Sequence, residues 1–165
     1  KRPADVEGRT IPGHWEGDLI VGAGSGSAVA TLVERTTRYV VLGHLPIERT
    51  ADAVRDSLVT ALQGMPAALK KTLTWDQGAE MSEHRAFSLA TDMAVYFCER
   101  ASPWQRGTNE NTNGLLRQYL PKGTNLRAHD AGALAAIADE LNDRPRKALG
   151  WDTPTERMNA LLSPG

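Results

Sequence analysis

The chain holds a single cysteine, Cys98, so no internal disulfide can staple it. Its setting, Ala94-Val-Tyr-Phe-Cys98, predicts a buried strand thiol and not a nucleophile, and suits a reducing, cytoplasmic setting. No apolar run approaches the roughly 20 residues that a membrane-spanning helix needs. The opening Lys1-Arg-Pro-Ala-Asp5 lacks the apolar stretch of a signal peptide. No internal repeat and no low-complexity segment is visible. Net charge is almost absent too, at −1, which argues mildly against a polyanionic partner when taken alone.

The remaining composition, 41% hydrophobic and 24% charged over 165 residues, fits one globular domain with a substantial core. Charge is unevenly spread. Between residues 100 and 127 stand Arg100, Arg106, Arg117, Lys122 and Arg127 against one acid, Glu110. A solvated face would account for that, and so would a site that holds cations and phosphates together.

The first third alternates as strands do. His14–Val21 puts Trp15, Leu19 and Val21 on one face and Glu16, Asp18 and Ile20 on the other. Gly22-Ala-Gly-Ser-Gly-Ser27 predicts a hairpin loop. It matches neither the dinucleotide nor the P-loop pattern, and a strand follows it instead of a helix. Ala28–Glu34 and Arg38–Leu45 complete an expected antiparallel meander.

The period then changes. Ala51, Val54, Leu58, Leu62 and Met65 form a helical stripe capped by Thr50 and stopped at Gly64-Met-Pro66. A strand is expected over Leu69–Asp76, a helix near residues 83–92, a strand over Ala94–Glu99 and a helix containing Glu110. Another helix is capped by Asp130 and runs to Leu141. The capping box Thr153-Pro-Thr-Glu156 opens the last one. The order as far as the Asp130 helix, βββαβαβαα, predicts an α/β fold: a five-stranded mixed sheet, three antiparallel strands then two parallel, with helices on both faces.

Three acids stand apart. Asp18 is in mid-strand, where burial costs several kcal/mol unless an arginine or a ligand compensates it. Asp76 ends its strand, a place for a turn aspartate or for a ligand-facing group. Glu110 opens a helix whose stripe, Leu115, Leu116, Tyr119 and Leu120, centres about 150° away from it. The helix dipole alone would favour an acid there. It does not account for Trp104, Arg106, Asn109, Asn111 and Asn113 around that acid, or for Gly114, which can admit a close neighbour. Asn113 and Arg117 share the side of Glu110.

The segment Ser102–Gly123, with His14-Trp-Glu-Gly-Asp-Leu19, resembles the catalytic core of bacterial insertion-sequence transposases of the Asp-Asp-Glu type. The IS-thirty family, within the retroviral-integrase superfamily, is the nearest pattern. Thirty-three residues separate Asp76 from Glu110, as in that family. Leu32-Val-Glu-Arg35, Asn142-Asp-Arg-Pro-Arg-Lys147 and Leu149-Gly-Trp-Asp-Thr-Pro154 extend the resemblance over roughly residues 13–157. One departure is Asp76-Gln-Gly-Ala-Glu-Met81, where the family usually has Asp-Asn-Gly-x-Glu-Phe; tuning of the site is expected, not its loss.

The resemblance implies an RNase H-like fold and a metal-dependent DNA transposase domain. Asp18, Asp76 and Glu110 would be the catalytic, metal-binding triad for two Mg²⁺ or Mn²⁺ ions, with Glu80, His84 and Asn109 in support. No cysteine–histidine cluster proposes zinc. Candidate DNA contacts are Trp104, Arg106, Asn113, Arg117, Lys122, Arg144, Arg146 and Lys147, with Trp104 stacking on an unpaired base or packing beside Pro103. The implied partners are transposon ends, target DNA and at least one further copy of the chain, with no membrane. Residues 1–12 read as a linker remnant before a catalytic core at 13–165. The family's N-terminal helix-turn-helix is not seen before His14. Such a core alone should bind DNA weakly and with little sequence preference. The same residues would also fit a nuclease that only hydrolyses, or a non-catalytic DNA-binding or assembly module.

Overall fold

The computed structural model describes residues 11–25, 27–45, 50–75, 84–97 and 107–163, with 25, 51 and 107–111 described as backbone only. Strands β1 (His14–Val21), β2 (Ala28–Glu34), β3 (Val40–Gly43), β4 (Thr72–Trp75) and β5 (Ala94–Phe97) form one sheet in the order β3-β2-β1-β4-β5. β1 pairs antiparallel with β2, and β2 with β3; β1 pairs parallel with β4, and β4 with β5. This is the expected mixed sheet. Helices α1 (Ala51–Leu62), α2 (His84–Thr91), α3 (Gly107–Leu116), α4 (Ala131–Asn142) and α5 (Pro154–Leu162) complete the fold.

Both faces of the sheet are covered, so alternation along β1 serves two cores. Trp15, Leu32, Leu73 and Trp75 join Val54, Leu58 and Leu62 of α1, Phe87 of α2 and Met158 of α5 on one side. Ile20, Val29, Val33 and Val40 join Leu116, Leu120 and the Leu134, Ala138 and Leu141 stripe of α4 on the other. Burial of these side chains, each worth roughly 1.5–3 kcal/mol, is what holds short strands in register. Helix starts follow local chemistry. Thr50 caps α1, Asp130 caps α4, and the Thr153–Glu156 box is closed in both directions at 3.0 and 2.9 Å.

Strand ends differ from the sequence expectation where side chains intervene. β3 starts at Val40 and not Arg38, because Arg38 has φ of 64° within a tight turn. The Glu34 carboxylate holds that turn, accepting from Gly13 N, both Thr36 groups and both Thr37 groups. β4 begins at Thr72 because Ala67–Leu69 coil into a 3₁₀ turn first. The edge strand is blunted: the Asn142 amide accepts from Val40 N at 2.8 Å and donates to Val40 O at 2.9 Å, standing in for a missing neighbour strand. At the hairpin, a Cβ on Gly22 would sit 2.3 Å from Ser27 Oγ and 2.6 Å from Thr124 O, which is why only glycine fits there.

Candidate active site

Asp18 lies on the central strand β1, half-buried, with its Cα opposite Thr31 of β2. Its carboxylate accepts from the Leu19 N–H at 2.8 Å and from the Asn113 side-chain amide of α3 at 3.3 Å. Asn113 therefore brings α3 to Asp18. Glu110 is in the same helix, three residues earlier, about 4.5 Å along its axis. Its side chain is outside the described residues, as are those of Asn109 and Asn111. On the other flank of β1, Gly17 pairs with Trp75, the last residue of β4. Asp76, next in sequence, lies outside the described residues, with Glu80, Cys98, Trp104 and Arg106. The described residues thus put α3 and the end of β4 on either side of Asp18. Among them, no group of three histidine, cysteine, aspartate or glutamate side chains gathers.

Gly17 explains the motif around Asp18. A Cβ there would stand 2.4 Å from the Trp75 ring, so the indole can pack against the strand at this point only because the residue is glycine. Trp15 anchors the start of the same strand, donating from its indole N–H to Leu69 O at 2.7 Å. The acid compensated by arginine in β1 proves to be Glu16, not flagged by sequence reasoning. Arg35 Nε meets its carboxylate at 3.0 Å, with side chains 2% and 1% exposed. The matched segment Leu32-Val-Glu-Arg35 is thus structural: Glu34 ties the turn and Arg35 neutralises Glu16. The available signal was a second acid two residues from Asp18 on the same strand face.

The other sequence candidates divide. His84 opens α2 and meets the Phe97 ring edge-on at 5.5 Å, its Nδ1 buried without a hydrogen-bond partner among the described residues. Since Trp75 pairs with Phe97, His84 stands near the end of β4. Arg117 donates to Leu120 O and Val21 O, both at 3.2 Å, joining the end of α3 to the end of β1. α3 stops at Leu116, short of the stripe's end at Leu120, where the chain tightens into turns, Gln118 N donating to Leu115 O at 3.1 Å and Tyr119 N to Leu116 O at 2.9 Å. Around Gly114, no atom of the described residues outside its own stretch of helix comes within 4 Å of where a Cβ would stand. Lys122 is exposed on the following turn.

Arg144, Arg146 and Lys147 are elsewhere. Arg144 lies over the Tyr119 ring, 5.4 Å from its centre, and donates to the Tyr119 hydroxyl and to Gln118 Oε1. Arg146 is half-buried; burial first, then the charges of Arg38 and Arg144, lower its guanidinium below the usual arginine range.

Residues 10–103 match the family model for the integrase core domain. This chain belongs to the integrase core domain family. It is 54% identical over 162 residues to the transposase for insertion sequence element IS1086 of Cupriavidus metallidurans, covering 98% of this chain and 48% of that relative. It is 45% identical over 156 residues to transposase InsI for insertion sequence element IS30A of Escherichia coli, covering 94% of this chain and 40% of the relative. The chain thus spans about half the length, or less, of these curated relatives. In fold, the integrase core superposes on the catalytic core domain of BIV integrase with a TM-score of 0.65 at 18% identity, covering 91% and 95% of the two chains. The architecture is that of the RNase H-like integrase catalytic cores. No helix among the described residues is long and apolar enough to cross a membrane.

Proposed function

We propose that this integrase core is the catalytic domain of an insertion-sequence transposase. It would act on DNA in the cytoplasm, cutting at transposon ends and joining the freed 3′-hydroxyl to target DNA. The observation that carries the reading is Asp18: a half-buried carboxylate on the central strand, met by Asn113 of the Glu110 helix and next to the strand that leads into Asp76.

Asp18, Asp76 and Glu110 would hold divalent cations. A donor set of carboxylate oxygens suits hard ions such as Mg²⁺ or Mn²⁺. Bound there, such ions supply electrostatic stabilisation of the attacking and leaving oxygens of an in-line displacement. The protein's own contribution is placement. Asn113 orients the Asp18 carboxylate through its amide, and Trp75 over Gly17 fixes the strand beneath it. In the first reaction, water attacks phosphorus at the transposon end and the 3′ oxygen leaves as a hydroxyl. In the second, that hydroxyl attacks a target phosphodiester, one P–O bond forming as another breaks, with no covalent protein intermediate.

Arg106, Lys122, Arg144, Arg146 and Lys147 would contact phosphates, and Arg117 would do so with the N–H groups its two carbonyls leave over. Trp104 would stack on an unpaired base, and Glu80, His84 and Asn109 would support the triad. Two transposon ends call for at least two copies of the chain in the active complex. The test offers a pre-cleaved transposon end and target DNA to the protein with Mg²⁺ or Mn²⁺. Joined product in the wild type, and none in a folded Asp76→Asn variant, is expected. Hydrolysis without joining would instead indicate a nuclease, and full activity in the variant would remove Asp76 from the reaction.

A further inference from the structure

Trp151 is 66% exposed and has φ of 74°. A bulky residue in the left-handed region is uncommon and persists only where the surrounding structure over-determines it. Here it does. Trp151 N donates to Arg146 O at 2.8 Å, Gly150 N to Lys147 O at 3.1 Å and Asp152 N to Leu149 O at 3.2 Å, while Arg146 N donates to Asp152 O at 3.0 Å. Arg157 adds bonds to Asp152 Oδ2 at 2.9 Å and Leu149 O at 2.7 Å. The loop is closed on itself, and its backbone holds the indole out in solvent. Among the described residues, the ring is not part of either hydrophobic core.

Its surroundings choose the partner. Arg146, bonded backbone to backbone with Trp151, sits in the field of Arg38 and Arg144, and Lys147 beside it is exposed. Of the acids nearby, Asp152 is paired with Arg157, Glu156 is occupied in the helix cap, and Asp143 accepts from the Thr155 hydroxyl at 2.9 Å. Among the described residues, the exposed Leu161 and Leu162 lie at the other end of α5, about 10 Å along its axis from Pro154. A flat aromatic face beside cations matches a strand of nucleic acid with an unstacked base.

We propose that the Arg146–Asp152 loop is a second DNA-contacting surface, on which Trp151 stacks against an unpaired base while Lys147 holds the adjoining phosphate and the half-buried Arg146 adds its charge. α5 lies along the β2–β3 turn, and Arg38 is in that turn, so this surface stands at the end of the sheet where β1 begins. Asp18 is four residues further along β1, about 13 Å on. The surface is therefore separate from the Asp18 site, and it deepens the transposase reading on which it rests by giving the DNA a second point of hold.

The test compares wild-type chain with Trp151→Ala, Trp151→Phe and Trp151→Gly. Each is titrated by fluorescence anisotropy with a duplex bearing an unpaired tail, with a blunt duplex of the same length and with heparin. Glycine accepts the left-handed backbone, so Trp151→Gly keeps the loop even if Trp151→Ala disturbs it. The expected result is a loss of about fivefold or more for the tailed duplex in the Ala and Gly variants. Phe retains most of the affinity, and heparin binding is unchanged throughout. Lys147→Gln should instead lower the salt dependence by about one unit of slope on all three ligands. Equal affinity of wild type and Trp151→Gly for the tailed duplex overturns the proposal. So does a variant whose sedimentation shifts to a smaller species with DNA affinity intact, which would make Trp151 a protein contact. Asp18→Asn separates this from the transposase reading: Trp151-dependent binding should survive in it while joining is lost. Joining that is absent from wild type, with Trp151-dependent binding present, sinks only the transposase reading.

Discussion

Replacing Arg35 with methionine should destabilise the integrase core by about 3–5 kcal/mol, because it strips a buried carboxylate of its cation. Arg35 Nε and Glu16 Oε2 are 3.0 Å apart, with side chains almost fully removed from water. At that distance and an effective dielectric of about 20, the gross attraction is roughly 5 kcal/mol. Desolvation of both ions has already consumed much of that, so the intact pair adds little net stability. Breaking it is what costs. Urea unfolding is the assay: with a slope of about 2 kcal/mol/M, the midpoint should fall by roughly 1.5–2.5 M. Glu16→Leu should cost a similar amount by leaving the guanidinium buried without that carboxylate. The double variant Glu16→Leu/Arg35→Met should lie within about 1 kcal/mol of wild type, giving a coupling energy of several kcal/mol. Single variants within about 0.5 kcal/mol of wild type, or a double variant equal to the sum of the singles, would refute the argument.

Asn142→Leu should cost about 2–4 kcal/mol in the same unfolding assay, since it leaves Val40 N–H and C=O both without the amide that serves them. Asn113→Ala should slow strand joining about 10–100-fold, as removal of an orienting group does, with its unfolding midpoint nearly unchanged. Trp151→Gly should raise thermal stability by about 1 kcal/mol by relieving the left-handed backbone, the opposite sign from its effect on tailed DNA.

Much of the fold was legible because it rests on periodicity and caps. Val54, Leu58 and Leu62 keep a helical spacing, and Thr50, Asp130 and Thr153 each start a helix by a bond their own side chains make. The strand ends were not, because they depend on contacts between residues far apart in sequence. Asn142 reaches Val40 across 102 positions to seal the sheet edge, and the Glu34 carboxylate gathers three neighbours into a turn that alternation alone would extend. At the site, Asp18 announced itself as an acid in mid-strand. Glu16 did not, although it is more deeply buried, because one strand pattern cannot say which of two acids meets an arginine. Trp151 was visible only as part of a motif; its exposure and backbone angle belong to the folded loop.

The account turns on whether Asp18, Asp76 and Glu110 converge. A crystal of the chain soaked in Mn²⁺ and measured at the manganese absorption edge tests this most directly. The account predicts an anomalous peak bonded to carboxylate oxygens of Asp18 and at least one of Asp76 and Glu110, abolished in the Asp18→Asn variant. A peak placed elsewhere, or Asp18 held on Asn113 at saturating metal with no peak beside it, would contradict it.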